Sequence, residues 1–270
     1  MLINGFATAA AARRALRDAG FNIGSLLASP ESNPKVAKNA KRGVMTAPLH
    51  LAPFDLSGYQ VCPQASAGCA AACLHTAGNP AYMAQKDASR KVKTQAYFKA
   101  RDAFLALLCF EIAALVRKAE KAGMQAGVRL NATSDLPWER RAVDVDGKSI
   151  LIMDLFAGVE FYDYTKVTKR ALAWARGAMP VNYHLTFSRT EGNDDAVANV
   201  IAEGGNVAVV MSPSVYKLTT LAGGMHAWSQ NVTVIDGDEH DFRPVDPKGC
   251  VVALKAKGDA KRDTSGFVLR

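Results

Sequence analysis

The chain has 270 residues, of which 49% are hydrophobic, and this predicts one large globular domain or two small ones. No run is long and apolar enough to span a membrane, and arginines interrupt the N-terminal alanine-rich run where a secretory signal needs an apolar core. The formal net charge of +8 favours a polyanionic partner, although no helix-turn-helix, zinc-finger or aromatic RNA-binding motif accompanies it. We expect a cytoplasmic protein with no membrane partner, since five clustered cysteines are typical of a reducing compartment.

Residues 1–44 are predicted to form an N-terminal helical extension, with a helix over Gly5–Ala19 and a polar connection after it. Residues 45–270 are predicted to form a single β/α domain. Its strands are short apolar runs rich in β-branched and aromatic residues. There are seven of them: Met45–Ala52, Val128–Thr133, Val159–Thr165, Asn182–Ser188, Asn206–Met211, Val232–Asp236 and Cys250–Lys255.

Helical patterns occupy most of the gaps between these strands, with Asn193 as the expected N-cap of the last helix. The predicted helices are Ala81–Phe98, Arg101–Ala122, Ser149–Phe156, Thr168–Met179 and Asp194–Glu203. Alternation of strands and helices favours parallel strands joined by crossover helices. We therefore predict an α/β fold, a full or partial parallel β/α barrel of six to seven strands, with a doubly wound open sheet as the alternative.

Three cysteines follow the first predicted strand with the spacing C-x6-C-x3-C: Cys62, Cys69 and Cys73. Thiolates grouped on a loop suit a metal ion or an iron–sulfur cluster, and three of them would leave one iron open to a substrate or cosubstrate. A structural zinc site is an alternative, with His75 as the nearest candidate for a fourth ligand. The third interpretation is a set of small buried residues at the start of an alanine-rich helix.

Polar residues also follow the other predicted strands, at the ends where a parallel β/α fold gathers its chemistry. Asp163 stands out because a carboxylate inside a strand needs a partner, for which Lys166 or Arg189 are candidates. The remaining candidates are Asn131, Ser134, Asp135, Tyr164, Ser188, Asp236, Asp238 and His240. We expect these strand ends and the cysteine loop to share one pocket.

Five segments resemble an uncharacterised family of bacteriophage gene products: Leu56–Gly78, Val128–Glu139, Phe161–Lys166, His184–Arg189 and Lys257–Gly266. The resemblance covers most of the chain from about residue 45 onward and implies a phage protein acting in an infected bacterial host.

A more distant resemblance is to radical S-adenosylmethionine enzymes, which carry a three-cysteine loop after the first strand of a partial β/α barrel. It implies that the cysteines hold a 4Fe–4S cluster and that Asn131, Ser134 and Asp135 contact S-adenosylmethionine. The spacing departs from the usual C-x3-C-x2-C, and the Gly-Gly-Glu expected after the second strand is absent. Because of these departures, the resemblance implies a cluster more strongly than it implies binding of S-adenosylmethionine.

The first hypothesis is therefore an iron–sulfur enzyme acting on a nucleotide, a modified base or another small anionic substrate. Asp163, Lys166 and Arg189 would be catalytic, and the substrate would contact Tyr164, Ser188, Asp236, Asp238 and His240. The alternative is a non-catalytic nucleic-acid-binding or accessory protein in which the cysteines hold structural zinc.

Overall fold

The computed structural model describes residues 1–32, 34–76, 83–225 and 231–270. In these ranges the helices are α1 (Ala9–Asp18), α2 (Pro34–Ala37), α3 (Ala67–Ala71), α4 (Met83–Lys99), α5 (Arg101–Lys121), α6 (Ile152–Leu155), α7 (Thr168–Ala175), α8 (Asp194–Ala202) and α9 (Pro213–Ala222). The strands are β1 (Val44–Pro48), β2 (Gln125–Arg129), β3 (Ala142–Val145), β4 (Lys148–Leu151), β5 (Glu160–Thr165), β6 (Tyr183–Ser188), β7 (Asn206–Met211), β8 (Gly224–Met225), β9 (Val232–Asp236) and β10 (Val251–Lys255).

Within the described residues, eight strands form a mostly parallel sheet in the order β1-β2-β5-β6-β7-β10-β9-β8. The pairs β1–β2, β2–β5, β6–β7, β7–β10 and β10–β9 are parallel, and β8 runs antiparallel to β9. Strands β3 and β4 form a separate hairpin. None of the described helices is both long and apolar enough to cross a membrane.

The predicted α/β class and the parallel sheet are confirmed, and each of the seven predicted strands overlaps an observed one. The barrel is not confirmed, because the strand order begins at β1 and ends at β8 without a bond that closes it among the described residues. The predicted helix Ser149–Phe156 is wrong in its first half, where residues 148–151 are β4 and only residues 152–155 are helical. The first two residues of the predicted helix Ala81–Phe98 lie outside the described ranges.

The chain divides into two compact units. Unit 1 comprises Met1–Cys62 and Ala81–Phe161, and unit 2 comprises Pro63–Pro80 and Tyr162–Arg270. Residues 1–44, predicted as an extension, therefore lie in unit 1 with the segments that follow them.

In unit 1 the long helix α5 supplies much of the core. Its apolar residues recur along the helix, and Phe104, Leu108 and Ile112 among them are completely buried. Helix α1 contacts α5 and begins at Thr8, whose hydroxyl accepts a hydrogen bond from the Ala11 amide at 3.1 Å. The all-buried strand β1 pairs with β2, with Pro48 opposite Arg129.

The β3–β4 hairpin of unit 1 turns at Asp146 and Gly147, whose φ angles are +51° and +86°. Two successive positive φ angles are typical of a type I′ turn, for which Asp-Gly is a favoured sequence. The apolar run after this turn therefore starts as a strand, since pairing with β3 overrides its helical pattern.

In unit 2, one apolar cluster joins residues of β6, β7, β9 and β10 to helices α7, α8 and α9. A smaller cluster brings Ala72, next to the short helix α3, together with Ala256, Ala260, Phe267 and Val268 near the C-terminus. The thiol-bearing Cys69 of α3 packs against this second cluster. The cysteine segment of unit 2 is thus held by residues almost two hundred positions further along the chain.

Candidate functional site

Helix α4 of unit 1 places three basic residues on one face. Lys86, Arg90 and Lys93 are spaced i, i+4 and i+7, which brings their side chains into one row along a helix. The neighbouring Thr94 hydroxyl accepts a hydrogen bond from the Ala52 amide at 2.8 Å, which fastens this part of α4 to the segment that follows β1.

Strands β1 and β2 bring two further groups to this place. Arg129 is the last residue of β2, and its carbonyl accepts a hydrogen bond from the Leu49 amide at 2.8 Å. His50 follows Leu49 directly, so the imidazole and the fourth basic side chain both stand at the carboxyl ends of paired parallel strands. We call Lys86, Arg90, Lys93 and Arg129 the cation cluster.

All four positive charges of the cation cluster act on His50. Burial, followed by the positive charges of the cation cluster, lowers the pKa of His50 to about 3. The imidazole is therefore neutral at pH 7. Its buried Nδ1 atom makes no hydrogen bond within the described residues.

The members of the cation cluster differ in exposure and in their acidic neighbours. Arg90 is 8% exposed and lies 4.0 Å from Asp87, whereas Lys86, Lys93 and Arg129 are half-buried. The Lys93 ammonium donates to the Leu26 carbonyl at 2.9 Å, and burial lowers the pKa of Lys93 although the charge of Glu111 acts to raise it. Burial, followed by the charge of Arg90, lowers the pKa of Lys86.

Lys93 also lines an open pocket of about 460 Å³ in unit 1. Its other walls come from residues 22–25 and from Ala88, Ser89 and Val92 of α4. Lys93 is the cluster member that borders this pocket.

The three residues predicted to contact S-adenosylmethionine surround a turn after β2. The Asn131 side-chain oxygen accepts from the Ser134 hydroxyl at 2.8 Å, from the Leu136 amide at 2.8 Å and from the Trp138 indole at 3.2 Å. Its amide nitrogen donates to the Leu136 carbonyl at 2.9 Å, and the buried Asp135 donates its backbone amide to Val61. In this geometry Asn131 and Ser134 stabilise the turn, and their cosubstrate role stays a prediction.

The buried carboxylate predicted inside β5 is present in unit 2. Asp163 is fully buried and accepts a hydrogen bond from the Tyr183 hydroxyl at 3.0 Å, while Arg170 donates to that same hydroxyl at 3.1 Å. Arg189, one of the two predicted partners, instead contacts Asp194 and the C-terminal segment. Lys166 and Tyr164 are half-buried near the end of the same strand.

The end of β6 ties together two of the sequence segments that carry the family resemblance. Arg189 donates to Asp194 at 2.9 Å and to the Gly266 carbonyl at 2.6 Å. Asn193, confirmed as the N-cap residue, uses its side chain in the preceding turn, where it accepts from the Thr190 amide at 2.7 Å and donates to the Ser188 carbonyl at 3.1 Å.

Glu191 connects this strand end to the cysteine segment. Its carboxylate accepts from the Ser66 hydroxyl at 2.7 Å and from the Gly68 amide at 2.8 Å. Burial acts to raise the pKa of Glu191, but the hydrogen bonds from its own amide, from Ser66 and from Gly68 outweigh it, so the pKa is lowered. A Cβ atom on Gly68 would overlap the Ser265 hydroxyl, which explains a glycine at this position.

Asp236, Asp238 and His240, which are predicted to bind substrate, separate into two groups in the structure. Asp236 accepts a short hydrogen bond from the Tyr216 hydroxyl, and Asp238 forms an ion pair with Lys257 at 2.7 Å. His240 is elsewhere, since its Nδ1 atom accepts from Arg243 at 3.0 Å. The structure therefore does not bring His240 together with the two aspartates that precede it.

Arg243 is the centre of a buried network in unit 2 that also contains Tyr162, His240, Asp241 and Asp246. Arg243 is fully buried, forms an ion pair with Asp246 at 3.1 Å and donates to the His240 carbonyl at 2.6 Å. The Tyr162 hydroxyl donates to Asp241 at 3.2 Å. Burial acts to lower the pKa of Arg243, but the nearby tyrosines and aspartates outweigh it and raise the pKa. We refer to these five residues as the Arg243 network.

The three loop cysteines are half-buried, whereas Cys109 and Cys250 are buried. The Cys62 sulfur accepts from the Phe54 amide at 3.4 Å and lies 3.9 Å from the Thr133 carbonyl. Among residues 1–32, 34–76, 83–225 and 231–270, no group of three or more His, Cys, Asp or Glu side chains is arranged to hold a metal ion. The donor types suit a cluster but the described geometry does not assemble one, so we derive no chemical step through it.

A family model described as Gene product 88 matches residues 25–270. The chain belongs to the Gene product 88 family. This match confirms the predicted resemblance to a phage-type gene-product family and extends it twenty residues further toward the N-terminus. Neither the curated proteins nor the solved structures contain a match. The comparisons give no support to a relationship with radical S-adenosylmethionine enzymes.

Sequence reasoning missed the cation cluster as a site. The spacing of Lys86, Arg90 and Lys93 on a predicted helix was a visible signal, and these residues contribute to the basic composition. His50 and Arg129 gave no comparable signal, because they meet α4 only through the pairing of β1 with β2.

Proposed function

We propose that this member of the Gene product 88 family binds nucleic acid through phosphate contacts made by the cation cluster. The observation that carries the proposal is a row of three basic side chains on α4, a helix fastened to the segment after β1, together with Arg129 and His50 at the carboxyl ends of β2 and β1. Ligands of parallel α/β sheets bind outside the carboxyl ends of the strands, so the location fits a ligand site.

The identity of the side chains favours phosphate as the group that is bound. Two of the four cations are arginines, whose planar guanidinium groups form paired hydrogen bonds with phosphate oxygens. The two lysines add charge on flexible stems that follow a phosphodiester backbone. A net charge of +8 supports association with a polyanion over the whole chain.

A salt titration tests this proposal. We expect the protein to bind a fluorescent single-stranded oligonucleotide, measured by anisotropy, with an affinity that falls steeply between about 50 and 200 mM salt. Lys86→Gln should weaken binding and reduce the slope of log K against log salt by about 0.7. Arg90→Gln should have a similar effect on the slope.

Lys91→Gln is the matched control, because Lys91 lies on the same helix but is exposed and outside the row of the cation cluster. It should leave the slope almost unchanged. Equal losses in Lys86→Gln and Lys91→Gln would reduce the site to general surface charge. Absence of binding at about 50 mM salt, where nonspecific phosphate contacts are strong, would show that the proposal is wrong.

The second candidate function is the iron–sulfur enzyme predicted from the cysteine spacing. It is favoured by the contrast in exposure, since Cys62, Cys69 and Cys73 are half-buried while burial raises the pKa of Cys109 and of Cys250 to about 12. Anaerobic purification followed by iron, sulfide and zinc analysis tests it. Iron with sulfide supports the cluster, zinc near one equivalent supports a structural site, and an absence of all three contradicts both.

A further inference from the structure

Two aromatic rings of unit 1 stack face to face. Tyr59 comes from the turn that precedes Cys62, and Phe98 lies on α4, the helix that carries three members of the cation cluster. The Tyr59 and Phe98 ring centroids lie 4.3 Å apart with an angle of 6° between the ring planes. Both side chains are half-buried, so part of the stack is accessible to solvent. Tyr97 meets Phe98 edge-on at 5.0 Å and supports it from the interior.

The turn that presents Tyr59 is fixed to α4. The Gln95 side-chain amide donates to the Ser57 carbonyl at 3.3 Å, and the Tyr59 amide donates to the Ser57 hydroxyl at 3.4 Å. Gly58 has a φ of +85°, a conformation that turns the chain and that other residues adopt at a cost. The aromatic stack is therefore held in place before any ligand arrives, which lowers the entropic cost of binding.

A further positive charge lies beside the stack. The exposed Arg101 guanidinium is 5.8 Å from the Phe98 ring centroid and 4.9 Å from that of Tyr97. Phe98 is eight residues beyond Arg90, which corresponds to about 12 Å along the axis of α4. One helix thus carries phosphate-binding charge at one end and an aromatic surface flanked by arginine at the other.

We infer that the Tyr59–Phe98 stack is a base-binding platform, so that the ligand of the cation cluster is single-stranded nucleic acid. This inference rests on the proposed function. Proteins that bind single strands combine a positive groove with aromatic rings on which bases stack, and every base offers such a face. In a duplex the bases are stacked on one another, so a lateral aromatic platform has no free base face to contact.

The test compares two strands of equal charge and length, each of about 20 nucleotides, a length that exceeds a typical single-strand site. One is an oligothymidylate and the other is the same backbone with abasic sugars. The wild-type protein should bind the oligothymidylate more tightly. Tyr59→Leu should weaken oligothymidylate binding by about 5- to 100-fold and leave abasic binding unchanged. Tyr59→Phe should retain wild-type affinity for both strands, and it controls for loss of the hydroxyl.

Tyr59→Leu keeps an apolar side chain against Phe98, and its folding is checked by circular dichroism and thermal unfolding. Equal binding of both strands by the wild type would overturn the platform and leave phosphate binding standing. An unchanged affinity of Tyr59→Leu for oligothymidylate would also overturn it. Failure of the wild type to bind either strand would remove the proposed function and the platform together.

Discussion

Unit 1 and unit 2 each hold positive side chains beside a histidine, and the two groups differ in how the charge is accommodated. In the Arg243 network the guanidinium is fully buried and lies 3.1 Å from a carboxylate that is itself 1% exposed. In the cation cluster three of the four basic side chains are half-buried. Three members lie on α4, and Arg129 is the last residue of β2. The first arrangement encloses its charge beside a buried carboxylate, whereas the second gathers several like charges on side chains that are mostly half-buried.

The histidines report the same difference. Burial and then the single charge of Arg243 lower the pKa of His184 to about 3, while burial and then four separate cations do so for His50. His184 is influenced by one buried cation that is paired with a carboxylate, whereas His50 is influenced by four cations. The comparison therefore separates charge that is paired inside the fold from charge that we propose binds phosphate.

The largest effect on stability is expected when the guanidinium of the Arg243 network is removed. Arg243→Ala should lower the free energy of unfolding by about 3 to 5 kcal/mol, because it leaves buried carboxylates without their partner. Urea unfolding measures this loss. Arg262→Ala is the control, since Arg262 is 83% exposed and pairs with Asp259 at the surface, where an ion pair contributes less than about 1 kcal/mol. A loss below about 1 kcal/mol in Arg243→Ala would contradict a structural role for the network.

The pH dependence of stability should reveal both histidines. Their ordinary pKa is 6.5, and in the folded protein it is about 3, so the unfolded chain binds more protons between these values. The free energy of unfolding should therefore fall as the pH drops below 6.5, by up to about 1.4 kcal/mol per pH unit for each histidine. His50→Gln and His184→Gln should each flatten this slope in urea unfolding between pH 7 and 5. A slope identical to that of the wild type would show that the replaced imidazole is not kept neutral by folding.

Inorganic tripolyphosphate should sharpen the contrast by acting on one region alone. At ten times its dissociation constant it should raise the free energy of unfolding by about 1.4 kcal/mol. In nuclear magnetic resonance spectra, the ring signals of His50 should move on addition of tripolyphosphate while those of His184 stay in place. Equal movement of both signals would show that the anion does not select the cation cluster.

The smallest effect is expected from Lys86→Gln on stability. Because Lys86 is half-buried at the rim of the cation cluster, the substitution should change the free energy of unfolding by about 0.5 kcal/mol or less, even though it weakens binding. Paired measurement of unfolding and oligonucleotide affinity in the same preparation checks this. A loss of several kcal/mol would place Lys86 with the stabilising charges and not with the binding ones.

Much of the fold could be predicted from the sequence because its central strands are buried apolar runs. Strand β7 is buried at five of six positions and β10 at three of five, and such runs differ clearly from the polar turns around them. The hairpin at Asp146 and Gly147 was missed although its turn signal was present, because the apolar residues after it also fit a helix. The two-residue strand β8 is too short to leave a pattern.

The candidate site was less predictable, since it depends on tertiary pairing. The buried carboxylate Asp163 was expected from its place inside a strand and is present, but its partner Tyr183 lies on a strand that only the sheet brings near. Asn131 is predicted to contact a cofactor, a role that stays a prediction, and hydrogen bonds of its side chain also close a local turn. Side-chain amides serve both purposes equally well, and the sequence pattern does not distinguish them.

The packing of the cysteine segment against the C-terminal residues has a consequence for synthesis on the ribosome. The apolar cluster around Cys69 and Ala72 is complete when Phe267 and Val268 have been made, about 200 residues later. At about 5 to 20 residues per second, this delay amounts to roughly 10 to 40 s. During that interval Cys69 lacks part of the apolar packing that it has in the folded protein.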